Sequence, residues 1–205
     1  MKKVFAIGVV LAATALVAPL SQAAGQRQQR TPDPRTMGGG DCRDNVYNCV
    51  NTPNPLPTAN TVWLEEMTWM DVRDALAAGK TTAIISTGGI EPNGPWLVTG
   101  KHNYVLQVMG ESIARDLGDA LIAPIVTLEP GNPERVRTPG TIYLSRETYK
   151  AVLRDMATSL KSQGFTNIFL LGDSGGNQTP MREVAETLST AWGSDSTRIT
   201  FIPEY

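Results

Sequence analysis

Past residue 60 the chain alternates short apolar runs with capped amphipathic segments four times over, and that alternation limits its fold more than any other feature. Residues 81–87 (TTAIIST), 120–126, 167–171 (NIFLL) and 198–202 read as strands, short and rich in β-branched or large apolar side chains. Helices fill the gaps. Thr68 caps the first, with Asp71 three residues on in a capping-box arrangement; Val72 and Leu76 give it an apolar side and Gly79 ends it. Asn103 caps a second that runs to Leu117 and closes at Gly118, and Ser145 caps a third that runs to Gln163 and closes at Gly164. Thr179-Pro180 opens a fourth, with proline at its first position, ending near Gly193. Strands that alternate with helices in this way require a mostly parallel sheet covered on both faces, a three-layer α/β/α fold. No internal repeat is present. Ligand sites in such sheets form beyond the carboxyl ends of the strands, so the loops after Thr87 and after Leu171 are the places to look for function.

The flanks read differently. Lys2 and Lys3, an apolar run over residues 4–20 and the small residues of Ser21-Gln22-Ala23 have the three-part layout of a signal peptide, so residues 1–23 are expected to be removed. The mature protein is then exported, periplasmic or secreted, with no membrane association after cleavage. Residues 24–60 form a Pro/Gly-rich arm that cannot bury much apolar surface. Its two cysteines, Cys42 and Cys49, are expected to pair, because export places them where disulfides persist. Residues 61–205 form the α/β domain. The chain stops on an interior-type strand followed only by Pro203-Glu204-Tyr205, which reads as a fragment of a longer protein. A formal net charge of −2 and the lack of a basic patch argue against a nucleic-acid partner.

The loop after the first strand carries Glu91, Asn93, Trp96 and, just before the second helix, His102, the sole histidine of the chain. The loop after the third strand reads Gly172-Asp173-Ser174-Gly175-Gly176-Asn177. Glu91, His102 and Asp173 offer a carboxylate, an imidazole and a second carboxylate at strand ends, a donor set suited to a divalent metal. Taken singly, a loop glutamate is usually solvated and a lone histidine usually structural. The Gly-Asp-Ser-Gly-Gly string also occurs around the nucleophile of chymotrypsin-like proteases. Those are antiparallel barrels, and here the string joins a parallel strand to a helix. The Gly-Asp-Ser block of lipolytic hydrolases follows the first strand with its histidine late in the chain, whereas His102 precedes Ser174. Arg135 and Arg137, in the loop over residues 130–139, are either clamps for a substrate carboxylate or solvated side chains. Trp96 is either a pocket wall or a packing residue. Asn177 either contacts substrate or holds its loop through bonds to backbone.

From Trp63 to about Leu188 the sequence resembles the creatininase (creatinine amidohydrolase) family. Trp63-Leu64-Glu65-Glu66-Met67-Thr68-Trp69 matches that family's opening helix. Gly89-Ile90-Glu91-Pro92-Asn93-Gly94-Pro95-Trp96-Leu97 resembles its Gly-Ser-x-Glu-Gln-His-Gly-Pro-His-Leu block. Thr138-Pro139-Gly140-Thr141-Ile142-Tyr143-Leu144-Ser145 resembles Phe-Pro-Gly-Thr-Ile-Ser-Leu, and the segment from Gly164 to Asn177 resembles the strand ending Asn-Gly-His-Gly-Gly-Asn.

The resemblance implies an α/β amidohydrolase acting on a small-molecule amide, a divalent cofactor (zinc or manganese) and a homo-oligomer, hexameric in many members. Glu91 matches the first metal-binding glutamate. The family's next histidine falls on Asn93, its bridging aspartate on His102, the histidine of the later loop on Ser174, and a downstream glutamate on Gly176. An imidazole cannot bridge two cations as a carboxylate does, and Asn and Ser are poor zinc ligands. The two-metal site is therefore not expected; Glu91, His102 and Asp173 holding one ion, with a position left for water, is the expected replacement. Two alternatives stay open: a metal-free Ser174/His102 nucleophile–base pair oriented by Glu91 or Asp173, and a binding protein that keeps the scaffold without catalysis.

Overall fold

A computed structural model describes residues 53–203. The signal peptide, the Cys42–Cys49 pair and most of the arm lie outside these residues.

Four parallel strands form the main sheet: β1 (Thr82–Thr87), β2 (Ala120–Ile122), β5 (Asn167–Gly172) and β6 (Arg198–Ile202), in the order β2-β1-β5-β6. A small parallel pair, β3 (Glu129–Gly131) with β4 (Tyr143–Ser145), lies apart from it. The helices are α1 (Trp69–Ala77), α2 (Lys101–Leu117), α3 (Arg146–Gln163) and α4 (Gly175–Trp192). β1 is buried along its whole length, as a central parallel strand must be. Its residues divide the core in two by simple alternation. Ala83 and Ile85 join Tyr149, Leu153, Met181 and Leu188 of α3 and α4 on one face; Ile84 joins Trp63, Leu106, Ala114 and Ile122 against α2 on the other. The expected three layers are present.

Most element limits follow their local chemistry. Thr68 and Asp71 form the reciprocal capping box, and Ser145 accepts from the Thr148 amide. Gly118 and Gly164 close α2 and α3 in the left-handed conformation.

Three expectations fail. Asn103 does not cap α2, which starts at Lys101; its side chain instead accepts from the Gly89 amide (3.2 Å) and donates to the Thr127 carbonyl (3.2 Å), so it ties two loops together. α4 starts at Gly175, not Thr179, and Pro180 sits inside it at the loss of one backbone hydrogen bond. The strand expected over residues 120–126 pairs only as far as Ile122 before Pro124, with Val126 returning as an isolated bridge to Thr87. Residues 130–139 also carry the end of β3 and a 3-10 turn, Pro133–Arg135.

The strand order reverses direction between β1 and β5. Connections leave β1 toward β2 on one side, and β5 toward β6 on the other. Such a switch point opens a crevice at the carboxyl ends of the two strands. β1 and β5 end in register there, Thr87 opposite Gly172.

Candidate active site

Two loops leave this crevice, and the backbone is fixed before any side chain reaches into it. The Asp173 amide donates to the Thr87 carbonyl (3.1 Å), and the Gly88 amide donates to Val126 (2.9 Å). Asn177, fully buried in the first turn of α4, donates both amide hydrogens across the gap, to the carbonyls of Thr87 (3.0 Å) and Gly88 (2.7 Å). The Glu91 amide donates to the Thr99 carbonyl (3.0 Å), which folds the first loop back on itself and delivers His102 at the start of α2.

On this frame Glu91, His102 and Asp173 meet. His102 Nδ1 lies 2.8 Å from Asp173 Oδ2, and His102 Nε2 lies 3.1 Å from Glu91 Oε1. Lys101 Nζ lies 3.7 Å from the same Glu91 oxygen, and Asn93 donates to it at 3.3 Å. The imidazole is therefore sandwiched between two acids, each in reach of one ring nitrogen. A neutral imidazole carries one N–H and one lone pair. Satisfying both contacts takes either a second ring proton, a proton on one carboxyl, or another cation.

A further acid lies in the same crevice. Glu129, at the start of β3, is 3% exposed and accepts a hydrogen bond from Ser174 Oγ to its Oε2 (2.7 Å). The carboxyl sits between two glycines. A Cβ on Gly89 would fall 3.0 Å from its carboxyl carbon, and one on Gly176 would fall 3.6 Å from Oε2. Its other oxygen, Oε1, is buried without a hydrogen-bond partner. Burial pushes the Glu129 carboxyl above the usual carboxylate range, the Ser174 hydrogen bond opposes this, and the nearby Glu91 charge adds to it. The buried hydroxyl of Tyr149 is likewise pushed up by burial, as is that of Tyr143, where the Glu129 and Glu91 charges contribute further.

The other candidates lie elsewhere. Ser174 is buried with its hydroxyl on Glu129, while both nitrogens of His102 face acids, so the Ser174/His102 pair is not assembled in this arrangement. Asn177 is a framework residue with no exposed surface for a substrate. Trp96 is 92% exposed and walls no pocket among the described residues; Asn93 is exposed beside Glu91, and Arg135 and Arg137 are exposed on the long loop. Among the described residues no three His, Cys, Asp or Glu side chains stand ready-grouped for a metal ion. Glu129 and Lys101 escaped the sequence reading. The available signal for Glu129 was an acid a few residues beyond a strand's carboxyl end, immediately before Pro130-Gly131.

A doubly covered parallel sheet with acids and one imidazole gathered at its switch point defines a three-layer α/β protein with a candidate site at its strand ends. The creatininase family model, described as creatinine amidohydrolase, matches residues 65–203, and the chain belongs to that family. Among solved structures, a creatininase variant of type II aligns with a TM-score of 0.63 at 18% identity, covering 70% of this chain and 58% of its own. The manganese form of creatininase aligns at 0.62 and 19%, covering 70% and 58%. A further creatininase (creatinine amidohydrolase) crystal structure aligns at 0.61 and 18%, covering 71% and 58%. This chain thus spans less than two thirds of the solved creatininases. No curated protein matches it.

Proposed function

We propose that the chain is an exported amide hydrolase that cleaves a C–N bond of a small molecule with the help of one divalent ion held between Glu91 and His102. Support for amide hydrolysis comes from the family and fold; solved relatives are described as manganese and zinc–zinc forms, and one as complexed with creatine. The observation that carries the reading for this chain is the imidazole fixed between Asp173 and Glu91.

A carboxylate and an imidazole nitrogen are donor types that divalent cations take. Asp173 accepts Nδ1–H, which fixes the tautomer and the ring plane and turns the Nε2 lone pair toward Glu91, the usual arrangement behind a metal-bound histidine. His102 and Glu91 would hold the cation, whose charge would meet the proton shortage on that side. Asp173 is then an orienting residue and not the ligand expected from the sequence, because the two ring nitrogens point away from one another. Bound there, the ion would supply Lewis acidity and lower the pKa of a water. The chain's own residues do the rest. Lys101 and Asn93 hold Glu91 Oε1 in place. Glu91 and Glu129 are the carboxyl groups that would take a proton from water and pass it to a leaving amine.

The test is metal analysis of purified protein together with amine or ammonia release from linear and cyclic small amides. One equivalent of zinc or manganese is expected, with turnover lost in His102→Ala. A full-rate His102→Ala enzyme, or a metal-loaded protein inert on every amide class, would refute the reading; the latter result would favour a binding role. Export is checked by fractionating cells that express the full chain, and a hexamer by light scattering.

A further inference from the structure

We infer that the outward face of the first two turns of α2, with the loop before it, is where a second copy of this chain docks. The loop carrying Glu91 and the helix carrying His102 then lie at the edge of a twofold contact. The inference is independent of the hydrolase reading.

The first half of α2 is apolar on two opposite sides. Its inner side, Leu106, Gly110 and Ala114, is buried in the core cluster that holds Trp63 and Ile122. Tyr104 and Val108 stand two residues to either side of Leu106, which places them about 200° around the helix axis from it. They are 61% and 74% exposed, and Val105 between them is exposed as well. A solvated helix carries polar side chains on that side, and one that is apolar all round is ordinarily covered. The second half of the same helix follows the rule, with Glu111 and Arg115 forming an exposed ion pair at 2.8 Å. The preceding loop extends the patch: Trp96, Leu97 and Val98 are 92%, 56% and 64% exposed. The Lys101 amide donates to the Val98 carbonyl (3.2 Å), and a Cβ on Gly100 would fall 3.7 Å from Tyr104 Cε2, so loop and helix meet at the Tyr104 ring.

Size and charge select the occupant. At these exposures the six residues present about 700 Å² of mostly apolar surface, above the roughly 300–600 Å² of the largest patch on a typical monomer and close to the about 800 Å² that each partner buries in a standard complex. Tryptophan and tyrosine are the usual anchors of such contacts. No exposed charge interrupts the patch: between residues 94 and 108 the charged side chains are Lys101 and His102, and both turn to Glu91. An uncharged patch meets no like charge when it faces its own copy across a twofold axis. A membrane surface would call instead for Lys and Arg around the apolar face, and the nearest arginine along the helix, Arg115, is paired with Glu111.

Sedimentation velocity of the purified full chain over a range of concentrations reads the contact. Self-association is expected. Val108→Glu should weaken it at least about 100-fold, because in a twofold contact the substitution acts once in each copy. Trp96→Ala, which removes an almost fully exposed side chain and so leaves the fold intact, should weaken it at least about 10-fold. Ser189→Glu, on the exposed side of α4, should leave it unchanged. Tyr104→p-benzoylphenylalanine, irradiated in a mixture of light and ¹⁵N-labelled chains, should give cross-links between a light and a heavy chain that map to residues 94–108. A chain that stays monomeric at every concentration overturns the inference. So does self-association that Val108→Glu and Trp96→Ala leave intact, and so do cross-links confined within one chain, which would mean that the chain's own residues cover the face. An inert, metal-free chain that still associates through this face would refute the hydrolase reading alone.

Discussion

Replacing Asn177 by alanine should lower the stability of the domain by about 3 kcal/mol, more than its single amide suggests. The side chain makes two hydrogen bonds to backbone, at 3.0 and 2.7 Å, each worth about 0.5–1.5 kcal/mol net. The Thr87 carbonyl keeps the Asp173 amide, but the Gly88 carbonyl loses the Asn177 donor in a buried place, at a cost of about 1–3 kcal/mol. One term runs the other way. Asn177 Oδ1 is itself buried without a partner, and deleting it recovers part of its desolvation, about 1 kcal/mol. The balance falls near 2–4 kcal/mol. For a domain of this size that lowers the melting temperature by roughly 6–12 °C. Urea unfolding followed by circular dichroism measures it: the midpoint should fall with the slope unchanged. Asn177→Asp should be worse still, because it turns a carboxylate toward two carbonyl oxygens. Asn93→Ala, exposed, serves as a control within about 0.5 kcal/mol. A loss under about 1 kcal/mol in Asn177→Ala, or an Asn177→Asp protein as stable as wild type, would refute the assignment of Asn177 as the clamp that joins α4 to the Glu91 loop.

His102→Ala should abolish ion binding as well as turnover, read by metal analysis of the purified variant and by amine release, and His102→Gln should restore neither. Metal-free protein should lose stability as pH rises, because Glu129 has its folded pKa above the ordinary value of 4.5. The sign follows from linkage: a group that holds its proton more tightly when folded stabilises the fold below that ordinary value, and the contribution is lost as pH climbs through the raised folded pKa. Glu129→Gln should flatten that pH dependence, as measured by denaturant midpoints from pH 4 upward. Gly88→Ala should destabilise by about 2 kcal/mol or more, since its Cβ would fall 2.0 Å from Asn103 Oδ1 and expel that side chain from its bonds to Gly89 and Thr127. Thr68→Ala should cost about 1 kcal/mol through loss of the α1 capping box, checked by thermal melts.

The layers and the first three-residue constellation were legible because both rest on local chemistry. Alternating runs such as TTAIIST, and the cap and stop residues Thr68, Ser145 and Gly164, announce their elements directly. Glu91, His102 and Asp173 stand beside strand ends, so the switch-point rule brings them together. What failed depends on contacts distant in sequence. Asn103 has the composition of a helix cap, but its amide is taken by Gly89 and Thr127, and Gly100 opens α2 instead. Thr179-Pro180 has the form of a helix start, but Asn177 anchors the turn before it, and α4 begins at Gly175. Glu129 was hidden because its partners are Ser174, 45 residues away, and Glu91, 38 positions earlier by their numbers.

The charge pattern of the crevice offers a test of what its buried acid is kept for. Glu91, Glu129 and Asp173 face a single lysine and a single imidazole around one small space. Glu129 is the most buried of the three, and its burial, with a smaller contribution from the Glu91 charge, raises its pKa. A carboxyl buried as Glu129 is costly to keep, and Gly89 forgoes a side chain where it packs. A scaffold that had merely lost its ligands would gain stability by replacing Glu129 with an apolar residue of similar size. Such a replacement, Glu129→Leu or Glu129→Met, should therefore raise the denaturant midpoint of the metal-free protein, and a lowered midpoint would mark the carboxyl as one retained for the fold.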